Sequence, residues 1–166
     1  MAERRKGYSA KTIIGWREWC ALDDLDLPAV AAKIDTGAKT SSLHAFNLEF
    51  FKQKKDDWVS FYVHPVQRHK KPEIRCEARV ADSRKVVSSN GMAERRPVIS
   101  TAIKLGKHSF NTEVTLSNRD EMGFRMLIGR QTLSKRFIVD PALSWALGDL
   151  DENEIYPNIQ HRSKPR

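Results

Sequence analysis

Cysteine is scarce in this chain of 166 residues, and long apolar runs are missing altogether. Cys20 and Cys76 are its two cysteines, and neither belongs to a Cys-x-x-Cys pair. That excludes a disulfide framework and argues against a cysteine-built structural zinc site. Histidine offers little more for a metal. His44, His64, His69, His108 and His161 include no helical i, i+4 pair, and there is no His-Glu-x-x-His. No phosphate-cradling Gly-x-x-x-x-Gly-Lys-Ser/Thr loop occurs either. Neither zinc, ATP nor any other cofactor is expected. No apolar stretch is long enough to span a bilayer. The basic opening segment, Met1–Lys11, has no apolar core and does not read as a secretory leader. These absences point to a reduced, cytoplasmic protein.

Acidic residues are outnumbered: 29 Lys and Arg face 21 Asp and Glu, a formal charge of +8. Most of the excess lies at the ends. Arg4, Arg5, Lys6 and Lys11 face only Glu3, and Arg162, Lys164 and Arg166 face no acid. Basic ends add non-specific attraction to polyanions, so the net charge says little about an active site. No aromatic nucleic-acid motif accompanies it, and no specific nucleic-acid partner is expected. Three segments follow: a basic N-terminal tail (1–11), one patterned domain (12–150) and a polar C-terminal tail (151–166). Hydrophobic residues make up 40%, enough for one core.

The patterning has period two. Ile74, Cys76, Ala78 and Val80 alternate with polar residues, as do Val59, Phe61 and Val63; Phe46, Leu48 and Phe50; and Phe110, Val114 and Leu116. Helical signal is confined to one short turn around Gln131–Arg136. Short strands separated by polar turns predict an all-β barrel or sandwich. Asn90-Gly91 predicts a hairpin turn after Val86-Val87, flanked by Arg84, Lys85, Arg95 and Arg96. So polar a hairpin is expected to project from the body.

Two segments could carry chemistry. In Val30–Leu43 an apolar strand ends in Asp35, followed by Thr36, Gly37 and Ala38. Amides of a tight loop can hold such a carboxylate, and Gly37 lets the backbone approach it. In Met126–Leu133 an apolar strand ends in Gly129 and Arg130, and a helical turn follows. Each pattern alone is also that of an ordinary turn.

Together and in this order they resemble the retropepsin-like aspartic proteases, in a bacterial branch often labelled ATP-dependent zinc proteases. The likeness rests on Ile14–Trp19, Ala32–Ala45, Ser88–Gly91, Glu94–Pro97, Leu105-Gly106, Leu127–Arg130 and Phe137–Pro141. It covers about Thr12 to Gly148. Arg125 departs from it, because proline is expected there.

The resemblance implies a small closed or nearly closed β-barrel of acid-protease topology with one short helix. It implies a peptidase in which Asp35, Thr36 and Gly37 are catalytic. Ala38, Asn90, Gly91, Arg95, Arg96, Gly129 and Arg130 would bind substrate, the hairpin acting as a flap. A single Asp-Thr-Gly supplies one carboxylate where the mechanism needs two, so the resemblance implies a homodimer. Cationic flanks suit an acidic peptide. The branch is associated with a glutamate ligase of a ribosomal protein, which makes glutamate-rich tails an analogous substrate class. The alternative is a non-catalytic domain of the same fold that binds an acidic peptide or a ribosomal partner.

Overall fold

Alternating apolar side chains fold this sequence into strands that roll up around their shared apolar face. The structure, a computed structural model, describes residues 10–87, 91–118 and 123–157. In chain order the strands are β1 (Thr12–Ile14), β2 (Arg17–Leu22), β3 (Leu27–Ile34), β4 (Ser41–His44), β5 (Phe46–Gln53), β6 (Asp56–Val63), β7 (Ile74–Val87), β8 (Ala93–Leu105), β9 (His108–Ser117), β10 (Met126–Ile128) and β11 (Phe137–Val139). Two one-turn helices are present, α1 (Arg130–Leu133) and α2 (Glu152–Ile155), with a 3-10 turn at Asp23–Leu25. The expectation of one helix near Gln131–Arg136 is met by α1, shorter and shifted by a residue; α2 lies in what the sequence suggested was tail.

Strands β2-β3-β10-β4-β9-β8 pair in that order, and β2 pairs back onto β8, closing a six-stranded barrel. β10 lies parallel to β3 and antiparallel to β4. Inside sit Leu22, Val30, Leu43, Ile99, Leu105, Leu116, Met126 and Ile128, all buried. β8 continues outward into β7, β6 and β5. β1 and β11 form a separate parallel pair in which Ile13 sits opposite Ile138.

One period-two reading needs correction. Phe50 is 64% exposed, whereas Phe51 stacks on Trp58. The register slips by one between Phe46 and Glu49, and Asn47 takes a positive φ of 51°. The slip sets Phe46 opposite Tyr62, off the row of Val59, Phe61 and Val63, whereas Phe50 stays opposite the buried Val59 and is exposed nonetheless. The strands of the expected hairpin pair as far as Val87 and Ala93, and Asn90 of its turn lies outside the described residues.

One acid sits on the inward row of β2. Glu18 is fully buried, and its carboxylate accepts hydrogen bonds from the amides of Gly15 (2.6 Å), Ala146 (3.1 Å) and Leu147 (3.0 Å). It thereby ties the segment after β11 across the start of the barrel. Gly15 is needed there, because a Cβ would lie 2.2 Å from the Leu143 carbonyl oxygen. Farther on, the Tyr156 hydroxyl donates to the Ala29 carbonyl at 2.6 Å and accepts from the Ala29 amide at 3.3 Å. The ordered body therefore runs past Leu150 to α2 and Tyr156.

Burial pushes the thiols of Cys20 and Cys76 up from 9.0 to about 12, with the nearby Asp26 adding to the effect at Cys76. It pushes Tyr156 from 10.0 to about 12, against the lowering effect of its bond to Ala29. All three groups are neutral when protonated. The folded state therefore holds their protons more tightly than the unfolded chain, and stability is lost as pH rises from about 9 to about 12. Urea midpoints measured across that range should fall. Tyr156→Phe should show a shallower fall between pH 10 and 12, and an unchanged slope would contradict the assignment. Glu18→Gln keeps the shape but sets an NH2 group against backbone amides. It should cost about 2–4 kcal/mol in equilibrium urea unfolding.

Candidate active site

β10 positions the candidate site by wedging between two strands from the first part of the chain. The amide of Ile34 donates to the Trp16 carbonyl (2.8 Å), and that of Asp35 to the Ile128 carbonyl (2.9 Å). β3 is thus held on both sides up to the acid itself. Past Asp35 the chain turns sharply. Oδ1 of Asp35 accepts from the amides of Gly37 (3.0 Å) and Ala38 (3.2 Å), so the loop fixes the carboxylate's direction.

The loop is held from β10 as well. The Arg130 amide donates to the Ala38 carbonyl (2.8 Å) and the Gln131 amide to the Lys39 carbonyl (3.0 Å). The Arg130 guanidinium reaches back, one Nη1 donating to the carbonyls of Thr36 (3.0 Å) and Gly37 (2.9 Å). Gly129 makes this contact possible: a Cβ there would lie 2.5 Å from the Thr40 carbonyl oxygen and 3.0 Å from that of Ala38. Beneath it runs a chain of hydroxyls. Ser41 Oγ accepts from the Gly129 amide (3.1 Å) and bonds Thr132 (2.6 Å), which bonds Thr112 (2.8 Å).

The structure therefore brings Asp35, Thr36, Gly37, Ala38, Gly129 and Arg130 together. Asp35 is half-buried, and Thr36 and Gly37 are exposed. Arg130 works here as a brace on the loop, rather than reaching out as a substrate contact alone. Gly91, Arg95 and Arg96 lie apart, on the β7–β8 hairpin, and Gly91 has a φ of 78°. Asn90 lies outside the described residues. Arg96 and Arg84 are already compensated: Arg96 pairs with Glu94 at 3.3 Å, and Arg84 with Asp82 and Glu113.

Other residues fall elsewhere. Arg125 is 95% covered and donates to the His69 carbonyl at 3.4 Å, so it is a packed residue beside β10. Cys20 and Cys76 are buried and donate to the carbonyls of Val30 and Leu25. Trp19 stacks on Trp145 at 5.0 Å, and the Arg17 guanidinium lies between Trp16 and Trp145, 4.8 Å from each ring. Among the described residues no three His, Cys, Asp or Glu side chains converge as metal ligands. His64 instead faces Glu73 at 3.2 Å.

Sequence reasoning missed Glu18 and the Ser41–Thr132–Thr112 hydroxyls. Glu18 left a signal, an acid on an inward-facing position of β2. The hydroxyl chain left none, because its members lie on three separate elements.

A closed barrel with an Asp-Thr-Gly loop braced by a strand–Gly–Arg wedge defines the retropepsin-like aspartic protease fold. The chain belongs to the RimB-like family, described as retropepsin-like aspartic endopeptidase RimB, whose model matches residues 13–147. It is 48% identical over 145 residues to a probable alpha-L-glutamate ligase of Shewanella halifaxensis, and 47% identical over 146 residues to one of Desulfotalea psychrophila. These matches cover 87% and 88% of this chain but 32% of each relative, so the chain spans about a third of their length. Among solved structures it is similar to a Legionella pneumophila protein of unknown function, with 30% identity and a TM-score of 0.69. That match covers 83% of this chain and 99% of the other.

Gly129→Ala should separate the wedge from the loop. About 1–3 kcal/mol of stability should be lost in urea unfolding, as for other overpacked sites. If Gly129→Ala matches wild type in stability, the close approach is not a constraint.

Proposed function

We propose that this protein is a peptidase that hydrolyses peptide bonds with a pair of Asp35 carboxylates, one from each copy of a homodimer. The observation that carries the reading is the Asp35 loop. A half-buried carboxylate is oriented through one oxygen by two amides, beside an exposed Thr36. One chain supplies one such acid. Two carboxylates about 3 Å apart share a proton, because both cannot ionise easily. The ionised member takes a proton from the attacking water, and the protonated member polarises the scissile carbonyl. The titration then belongs to the pair.

The β1–β11 pair is where we set the second copy. Ile13 and Ile138 are 54% and 53% exposed, side by side on the β1–β11 pair. That pair adjoins the acid through Trp16, whose carbonyl accepts the Ile34 amide. The hairpin serves as a flap, and acidic, glutamate-rich peptides are the substrate class we favour. The ligase name belongs to proteins about three times longer than the matched stretch. What they share with this chain is the stretch that carries the Asp35 motif here.

The test is cleavage of a mixed peptide library that includes glutamate-tailed peptides, with chelator and without ATP. Asp35→Asn should remain folded and lose activity by at least about 10³-fold, as expected when an acid–base group is removed. Cleavage surviving in that variant would overturn the site. No cleavage by wild type would favour the non-catalytic reading, a domain that binds an acidic peptide or a ribosomal partner. Ile13→Glu/Ile138→Glu should sediment as a monomer and lose cleavage. Ala38→Ser would add a hydroxyl able to donate to the ionised acid. The acidic limb of the pH–rate profile should then move to lower pH.

A further inference from the structure

The four cations of the hairpin do not form one patch; the ribbon sorts them onto two faces. β8 lines the barrel interior with Ile99, Ile103 and Leu105, so its odd-numbered residues face inward. Arg95 and the buried Pro97 continue that row into the hairpin. On β7 the register shift between Val80 and Asp82 places Lys85 opposite Arg95 and Arg84 opposite Arg96. Cross-strand partners share a face. Lys85 and Arg95 therefore lie on the face continuous with the barrel interior. Arg84 and Arg96 lie on the outer face, where Glu113 of β9 also points.

The charges follow the same division. On the outer face Arg84 pairs with Asp82 and Glu113, and Arg96 with Glu94. On the inner face neither Lys85 nor Arg95 has an ion-pair partner among the described residues. The turn between their strands, Ser88-Ser89-Asn90, contains no acid. Like charges directly opposite one another destabilise a ladder. A ribbon that neutralises one face and leaves two opposed cations on the other is set up to be neutralised by something else.

We propose that Lys85 and Arg95 form the specificity pair that reads carboxylate side chains of an acidic peptide lying under the hairpin, whereas Arg84 and Arg96 only brace the ribbon. This rests on the flap role assigned above and replaces Arg96 by Lys85 as the partner of Arg95. Two separate cations match carboxylates that alternate along an extended chain. A guanidinium can grip one of them with two bonds, and an ammonium holds another as a point charge.

The test is binding rather than turnover, so its outcome does not depend on cleavage. Fluorescently labelled hexaglutamate and hexaglutamine peptides are titrated into full-length Asp35→Asn protein, and anisotropy is read at low and physiological salt. The parent should prefer hexaglutamate at least tenfold, more strongly at low salt. Lys85→Met/Arg95→Met should lose that preference, and its thermal midpoint should hold or rise because a repulsive pair is gone. Lys85→Arg/Arg95→Lys should keep the preference, which guards against a folding artefact in the Met variant. Lys104→Met/Lys107→Met removes the same charge near the far end of β8 and should bind as the parent does. The proposal is overturned if the Lys85/Arg95 Met variant retains the preference. It is equally overturned if the Lys104/Lys107 variant loses it as well, or if a uridylate hexamer binds as tightly as hexaglutamate. Failure of the peptidase reading would appear separately, as Asp35-independent cleavage or none.

Discussion

The backbone of Gly129 against the carbonyl of Thr40 is the contact on which the candidate site depends. No side chain fits there: a Cβ would come within 2.5 Å of that oxygen. The approach lets β10 enter between β3 and β4, and this sets two bonds at once. The Ile128 carbonyl holds the Asp35 amide, and the Ala38 carbonyl holds the Arg130 amide. The acid-bearing loop is thus tied at its start and near its end to residues far away in sequence. Such placement lets the sharp turn after Asp35 hold its shape.

Around that contact each kind of polar group is met in its own way. Nearest are hydroxyls, in the Ser41–Thr132–Thr112 chain. They satisfy one another and the Gly129 amide without placing a charge in the core. The one buried acid on β2, Glu18, is met by three amides rather than by a cation. Two guanidinium groups lie at the rim, where Arg130 caps the loop carbonyls and Arg17 lies between two indole rings, whereas that of Arg125 is packed beside β10.

Much of this could be read from the sequence where the signal was local. Alternation marked the strands, and Asp35-Thr36-Gly37 with Leu127–Arg130 marked the site. Both encode contacts within a few residues or a motif whose order is fixed by the fold. What stayed hidden depended on register. Phe46 looked like one row with Leu48 and Phe50 until the slip at Asn47 set it opposite Tyr62. Arg95 and Arg96 looked equivalent until pairing with β7 put them on opposite sides of the ribbon. The segment after Leu150 looked like tail because it docks through only Ile155 and Tyr156, too few residues to show a period.

That hydroxyl has a mechanical consequence. Tyr156 serves both hydrogen-bonding groups of Ala29, on the same strand that ends in Asp35. Tension applied beyond Tyr156 would therefore reach β3 directly, through these hydrogen bonds as well as through apolar packing. The strand that delivers the acid to the surface is also the strand to which the far end of the chain is moored.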